Sequence, residues 1–397
     1  MIQLSDRLNR LAPSATLAMS QKSNEMKAQG IDVINMSVGE PDYMTPDFIK
    51  EAGKKAIDGN YSKYSPVPGY LDLREAISAK LKKENGLEYG PKEIIVGTGG
   101  KQGVCNTFMA LVNPGDEVII PAPYWVSYPQ MAKLAGGTPV VIRAGIDQNF
   151  KITPEQLEKA ITPKTKLLVI CSPSNPTGSV YTQEELNALA EVILKHDDIY
   201  VLSDEIYEHI NYVGFKASIA KAPGMRERTI ICNGVSKAYA MTGWRLGWVA
   251  APEVIVKGIN KLQGQYTSGT SDVSQRAALA AYSGDQQCVE DMRRGFERRR
   301  DLIVSLAKEI PGFEVNVPDG AFYLFPRINS YFGKTDGKRT INNSTDFAMY
   351  LLEVGHVATV GGDAFGEPDG FRMSYATSDD NIREALRRIK EALAKLH

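Results

Sequence analysis

Residues 93–120 read EIIVGTGGKQGVCNTFMALVNPGDEVII. A short apolar run, 93–97, breaks at Gly97-Thr98-Gly99-Gly100, a helical stretch follows over 101–112, and a second apolar run begins at 117. A run without polar alternation belongs to a strand covered on both faces, and two such runs joined through a helix make the repeating unit of a parallel sheet. Outward from this stretch the pattern recurs. Runs at 138–142, 166–171, 199–203, 229–232 and 247–250 are of the same kind, several of them separated by helical segments such as 154–161 and 182–195. The reading is an α/β fold, with a mostly parallel seven-stranded sheet between helices.

The two ends of the chain read differently. Thr45-Pro46-Asp47 has the form of a cap, a first-turn proline and a first-turn acid before a helix stopped by Gly59, and 70–84 reads as a helix ending at Asn85-Gly86. Beyond a long Arg-rich amphipathic helix at 286–310 come short strands at 313–317, 321–325 and 371–375, with helices near 344–354 and 379–395. That is a smaller α+β domain. The expected division is a large domain over 45–290 and a small one built from 1–44 with 291–397.

Composition narrows the function. The 397 residues carry 46 Lys+Arg against 47 Asp+Glu, a net charge of −1, which argues against a nucleic-acid partner because that footprint requires a basic surface. No window approaches 18 uninterrupted apolar residues, so no membrane span is expected. The N-terminal stretch lacks the apolar core of a signal peptide and already carries Asp6. The four cysteines, Cys105, Cys171, Cys232 and Cys288, are far apart and read as buried, reduced thiols, so a cytoplasmic location is expected. The four histidines have no metal-ligand spacing, and no metal is expected. Arg298-Arg299-Arg300 reads as a solvated helix face with compensating acids.

The 35 glycines and 21 prolines are ordinary in number but clustered, and the clusters follow strands. Ligands of open α/β sheets bind at the C-terminal strand ends. Gly97-Thr98-Gly99-Gly100-Lys101-Gln102 opens a helix, where free N–H groups form an anion site. It is not a dinucleotide fingerprint, which would need glycine at Gln102, and it lacks the G-K-[ST] of a phosphate-binding NTPase loop. After the run at 229–232 stands Ser236-Lys237, with Arg245 eight residues on. A lysine in an apolar pocket beside other cations loses its proton more easily, so Lys237 is a candidate Schiff-base nucleophile. Ser236, Arg245 and the glycine patch together would hold a phosphate dianion. Asp204 emerges from a buried strand end, which is costly unless it meets a cation, and a pyridinium nitrogen is such a cation. Asn175-Pro176-Thr177-Gly178 reads by itself as a turn.

In this order and spacing the motifs resemble the fold type I pyridoxal-phosphate aminotransferases of class I, essentially end to end. The match runs through Gly39-Glu40-Pro41-Asp42, Tyr64, Gly99-Gly100-Lys101-Gln102, Tyr124-Trp125, Asn175-Pro176-Thr177-Gly178, Asp204-Glu205-Ile206-Tyr207, Ser236-Lys237, Gly243-Trp244-Arg245 and Arg372. The resemblance implies that Lys237 forms the Schiff base with pyridoxal 5′-phosphate and then moves the substrate's α-proton. It implies that Asp204 keeps the pyridine nitrogen protonated, that Asn175 and Tyr207 hydrogen-bond the ring oxygen, and that Trp125 stacks on the ring. Gly99, Gly100, Lys101, Ser236 and Arg245 are implied phosphate ligands. Tyr64 would reach the phosphate of a neighbouring subunit, which implies a homodimer. Arg372 would clamp the substrate α-carboxylate, and the backbone at Gly39 would close over it.

The stretch Gln263–Thr270, where some branches supply an arginine for the distal carboxylate, contains none. Pro13-Ser14-Ala15-Thr16, Cys171–Asn175 and Lys261–Gln265 are instead similar to the branch shared by bacterial aspartate aminotransferases and plant-type aspartate/prephenate enzymes. There, residues matching Thr16 and Lys101 accompany acidic substrates and prephenate. The implied reaction is ping-pong transamination of L-aspartate with 2-oxoglutarate, yielding oxaloacetate and L-glutamate. A glutamate/aspartate–prephenate aminotransferase and an aromatic aminotransferase are the alternatives. The bland readings are a helix-start cap for Thr16 and a solvated Lys101.

Overall fold

The computed structural model describes residues 3–397. Seven strands form the central sheet: β1 (Ile94–Gly97), β2 (Glu117–Ala122), β3 (Thr138–Arg143), β4 (Thr165–Cys171), β5 (Tyr200–Asp204), β6 (Thr229–Gly234) and β7 (Gly247–Ala250). Their order across the sheet is β1-β7-β6-β5-β4-β2-β3. Strands β3, β2, β4, β5 and β6 pair in parallel, whereas β7 is antiparallel to both its neighbours. The sheet is therefore the mostly parallel seven-stranded one expected, with a single reversed strand.

Successive side chains of a strand leave on opposite faces, so the continuous apolar runs serve two cores at once. Ile94 and Val96 of β1 pack with Leu73, Ile77 and Trp248, while Ile95 between them packs with Val104, Phe108 and Val249. Fully burying one such side chain contributes about 1.5–3 kcal/mol. Polar replacement at any of these positions would remove one core's anchor without touching the other.

A second core lies outside the sheet. It gathers Ile34 and Met36 from the N-terminal segment, Phe296 and Ile303 from the helix Gln287–Lys308, Phe322 and Tyr323, and Ile382 and Ile389 from the helix Asp379–Leu393. Ile34–Asn35 pairs in parallel with Val357–Ala358, a short ladder that the sequence pattern did not suggest.

Several expectations are corrected. No strand forms over 313–317: a single antiparallel bridge joins Glu314 to Arg327. Pro326 beside that bridge has no N–H to extend the ladder, and Pro318 closes the segment. The strands at 321–325 and 371–375 shorten to Tyr323–Leu324 and Phe371–Ser374. Thr45 does not cap its helix. Its hydroxyl donates to the Ala240 carbonyl at 2.7 Å and accepts from Trp244 Nε1 at 3.2 Å, and the helix Asp47–Asp58 starts behind Pro46 instead. The helix over 70–84 is α-helical through Lys80 and then widens to a π turn, Leu81–Asn85. Of the cysteines, Cys232 is buried and the other three are half-buried. Arg299 is not solvated: it is 8 % exposed, donates to Asp42 at 2.6 Å and lies over the Tyr43 ring, because its position faces the second core.

Candidate active site

The register brings the glycine clusters to one edge. Gly97 and Gly234 both stand opposite Gly247, Cys171 opposite Asp204, and Asp204 opposite Cys232. The C-terminal ends of β1, β4, β5 and β6 and the start of β7 thus share one rim. A cleft of about 500 Å³ opens there. It is lined by Thr16, Gly39, Gly100, Lys101, Trp125, Asn175, Asp204, Tyr207, Ser236, Lys237, Arg245 and Arg372 among others. Gly99 directly precedes Gly100 at the same rim. Tyr64 is elsewhere and fully exposed.

Lys237 stands just past β6, and its amine donates to the Gly39 carbonyl oxygen at 2.6 Å. Loss of hydration pulls its ammonium pKa down to about 8. The nearby Glu40 opposes that shift, and Arg372 and Arg245 reinforce it. A buried carboxylate faces it. Asp204 accepts the Tyr128 hydroxyl at 2.6 Å on Oδ2 and the Ile206 amide at 3.3 Å on Oδ1. Burial raises its pKa, against the pull of those two donors and the Lys237 charge. Tyr207 shares a 2.7 Å hydrogen bond with Tyr323 through their hydroxyls.

The other end of the cleft is built for an anion. Gly99 has φ +78°, a left-handed turn that only glycine adopts without strain, and it frees the first amides of the helix Gly100–Leu111. Gly247 permits the close pass: a Cβ there would strike the Gly100 backbone. Arg245, itself at φ +54°, lies against Gly99 and donates to the Thr242 carbonyl at 2.9 Å. Lys101 is not merely solvated. Its amine lies 5.0 Å from the centre of the Trp125 ring, and partial burial and Arg245 lower its pKa.

Arg372, on Phe371–Ser374, is 2 % exposed and sandwiched between the Tyr323 and Phe365 rings. It donates to Asn175 Oδ1 at 2.9 Å and to the Ser37 carbonyl, while its buried Nε has no partner among the described residues. The acceptors of Lys237, Arg245 and Arg372 are thus neutral oxygens, so their charges are uncompensated by local hydrogen-bonded acids.

A family model described as aminotransferase class I and II matches residues 31–389. The chain belongs to this family. It is 50 % identical over 396 residues to an aspartate/prephenate aminotransferase of Cereibacter sphaeroides, with 99 % of each chain covered. It is 47 % identical to a bifunctional aspartate and glutamate/aspartate-prephenate aminotransferase of Petunia hybrida, covering all of this chain and 84 % of that protein. Among solved structures it is similar to the aspartate aminotransferase of Rhizobium meliloti, with TM-score 0.96, 42 % identity and both chains covered in full. The Thermus thermophilus aspartate aminotransferase with maleate superposes with TM-score 0.93 at 40 % identity, covering 99 % of this chain and 100 % of that one.

The cofactor of this aminotransferase is pyridoxal 5′-phosphate. The residues present fit it: a lysine amine of lowered pKa, a buried acid whose direct partners are neutral, and a helix N-terminus flanked by Ser236 and Arg245. The aminotransferase site also contains groups the sequence reading missed. Tyr128 holds Asp204, Tyr323 holds Tyr207, and the Thr242 hydroxyl donates to Glu40. Tyr128 stands three residues after Trp125, across the turn that leads into the helix Tyr128–Ala135, and that proximity to Trp125 was its one signal in the sequence. Tyr323 sits inside the apolar run AFYLF, where nothing local separates a site hydroxyl from a core ring.

Proposed function

We propose that this aminotransferase moves the amino group of L-aspartate to 2-oxoglutarate, with Lys237, Asp204 and Arg372 as the principal groups. The observation that carries the reading is the convergence around one cleft of an amine of pKa about 8, a buried carboxylate and two arginines hydrogen-bonded only to neutral oxygens. When bound, the cofactor supplies an electron sink for the substrate's α-carbon. Lys237 Nζ holds the cofactor and, once released, takes up the substrate's α-proton and hands it on. Asp204 holds a proton at the ring nitrogen, with Asn175 and Tyr207 hydrogen-bonding the ring oxygen and Trp125 covering the ring face. Gly99, Gly100, Lys101, Ser236 and Arg245 bind the phosphate. Arg372 orients the α-carboxylate through its planar fork, and the Gly39 segment excludes water.

An acidic substrate is supported by Lys101 and Thr16, which line the cleft, and by the names of the relatives. The Thr16 hydroxyl shares a 2.9 Å hydrogen bond with that of Ser14, the residue just before the helix Ala15–Ala28. Prephenate, which also carries two carboxylates, is a second amino acceptor suited to the same cations. Turnover with aspartate, glutamate and phenylalanine as donors, and 2-oxoglutarate, oxaloacetate and prephenate as acceptors, tests this. Aspartate should lead, and Lys101→Met should weaken acidic donors about tenfold more than it weakens phenylalanine. Preference for phenylalanine in the unaltered protein would overturn the reading.

The exposed Tyr64 side chain is assigned to the phosphate of a second copy, making a homodimer. The closing unit is taken as 1–44 with 291–397, against a large unit over 45–290. Four unpaired thiols support a reducing, cytoplasmic setting.

A further inference from the structure

Tyr128 is a buried phenol whose ring and hydroxyl both touch the candidate site. Its hydroxyl donates to Asp204 Oδ2 at 2.6 Å, the short distance of a hydrogen bond to a carboxylate. Its ring meets Trp125 edge to face, 5.3 Å between centres. Its backbone N–H donates to the Trp125 carbonyl at 3.0 Å, so Tyr128 and Trp125 are fixed relative to each other. The ring is 2 % exposed, held in the core beneath β2 and β4. A phenol this enclosed cannot swing to water, and the carboxylate is its hydrogen-bond acceptor.

We infer that Tyr128 is a positioning residue that keeps the Asp204 carboxylate ionised and oriented toward the cleft, and so sets the pH range over which the protein holds its cofactor. The inference rests on the reading above that Asp204 faces the cofactor's ring nitrogen. Asp204 is a carboxylate removed from water, where the neutral acid is favoured. A protonated Asp204 has lost the negative charge that stabilises a cationic ring nitrogen. A hydrogen bond donated to the anion works against protonation, and of the two such donors Tyr128 is the closer, since the Ile206 amide stands at 3.3 Å. Because the phenol occupies Oδ2, it also fixes the plane of the carboxylate. The groups facing Asp204 from the surrounding elements are Tyr128, Cys171 on the adjacent β4, Cys232 on the adjacent β6, and the Lys237 amine. Among these, Tyr128 and Lys237 favour the anion, and Lys237 is committed to the cofactor once it binds.

The test uses Tyr128→Phe, which removes the donor and keeps the ring, and 3,5-difluorotyrosine at position 128, which keeps the donor and makes it more acidic. Infrared titration of the apo-protein, with Asp204→Asn to assign the carboxyl band, reads the acid directly. Fluorescence titration with pyridoxal 5′-phosphate from pH 5 to 9 reads cofactor binding. Loss of a hydrogen bond to a charged group corresponds to roughly one to two pH units. Tyr128→Phe should therefore raise the midpoint of Asp204 by at least one unit and raise the pH below which cofactor affinity falls. Difluorotyrosine should move both the other way. A uniform loss of affinity at every pH, or an unmoved carboxyl midpoint in Tyr128→Phe, would overturn the inference. If Asp204→Asn binds the cofactor as tightly as the unaltered protein, the assignment of Asp204 itself fails, whatever Tyr128 does.

Discussion

The amine of Lys237 donates to the carbonyl oxygen of Gly39, 2.6 Å away, and so ties the end of β6 to the segment that follows the Ile34–Asn35 ladder. One nitrogen thus senses both the sheet and the N-terminal segment over the cleft. Removing it should have two separable effects. In Lys237→Ala the cofactor's protein-bound absorbance band should disappear, and turnover should fall at least about 10⁴-fold, the upper range for a lost general base. Melting temperature should change little, because a half-buried side chain with one hydrogen bond is lost. A variant that keeps the band contradicts the assignment.

The amine's lowered pKa gives a pH prediction with a definite sign. A lysine at its ordinary value is almost wholly protonated up to about pH 9, whereas this one, at about 8, is half neutral near pH 8. Only the neutral amine attacks a carbonyl. The rate of cofactor capture by apo-protein should rise about tenfold per unit below pH 8 and level off above it. Stopped-flow absorbance between pH 6 and 10 checks this, and a rate still climbing at pH 10 would refute it.

Gly247 separates a packing effect from a chemical one. A Cβ at this position would strike the Gly100 backbone, which has no flexible side-chain end to yield. Gly247→Ala should destabilise the fold by about 1–3 kcal/mol and weaken cofactor binding by displacing the helix start. Thermal denaturation and cofactor titration of the same preparation should move together. Full stability with lost binding would mean that the glycine serves the ligand alone.

Much of this was legible in the sequence because the fold writes itself in runs. The inner strands of the central sheet are buried on both faces, so their apolar stretches are continuous, and several end at a glycine or at a polar residue the fold could not otherwise place there; the edge strand Thr138–Arg143 is only partly covered. Lys237 and Asp204 stood out for that reason, whereas Arg372, inside a strand of a different sheet, was marked only by the family resemblance. What stayed hidden depended on distance in the chain. Tyr128 and Asp204 are 76 residues apart, and Tyr207 and Tyr323 are 116 apart, so only the folded sheet reveals that they are partners. Thr45 misled because its local signal is that of a cap, yet the fold gives its hydroxyl to Ala240. Arg299 misled in the opposite sense: a charge in a run of three looks solvated until Asp42 is brought against it from the far end of the chain.

Arg372 offers a test of geometry against charge. Its guanidinium already spans Asn175 and Ser37 with two separate nitrogens, a fork that an ammonium cannot reproduce. Arg372→Lys should lower kcat/KM at least about 30-fold for every amino acid donor, the low end for disrupting a buried charged pair. Cofactor affinity should remain near that of the unaltered protein. Equal losses in both would place the arginine in the fold's support and not on the substrate.

Storage of the amino group of an acidic amino acid on the cofactor can be read in a single half-reaction. Protein loaded with pyridoxal 5′-phosphate is mixed with L-aspartate alone, with no oxo acid present, and the cofactor spectrum and released product are measured together. Stoichiometric conversion to the pyridoxamine form is expected, with one equivalent of oxaloacetate per site, reversed on addition of 2-oxoglutarate. An unchanged spectrum, or continuous product release without any acceptor, would contradict it.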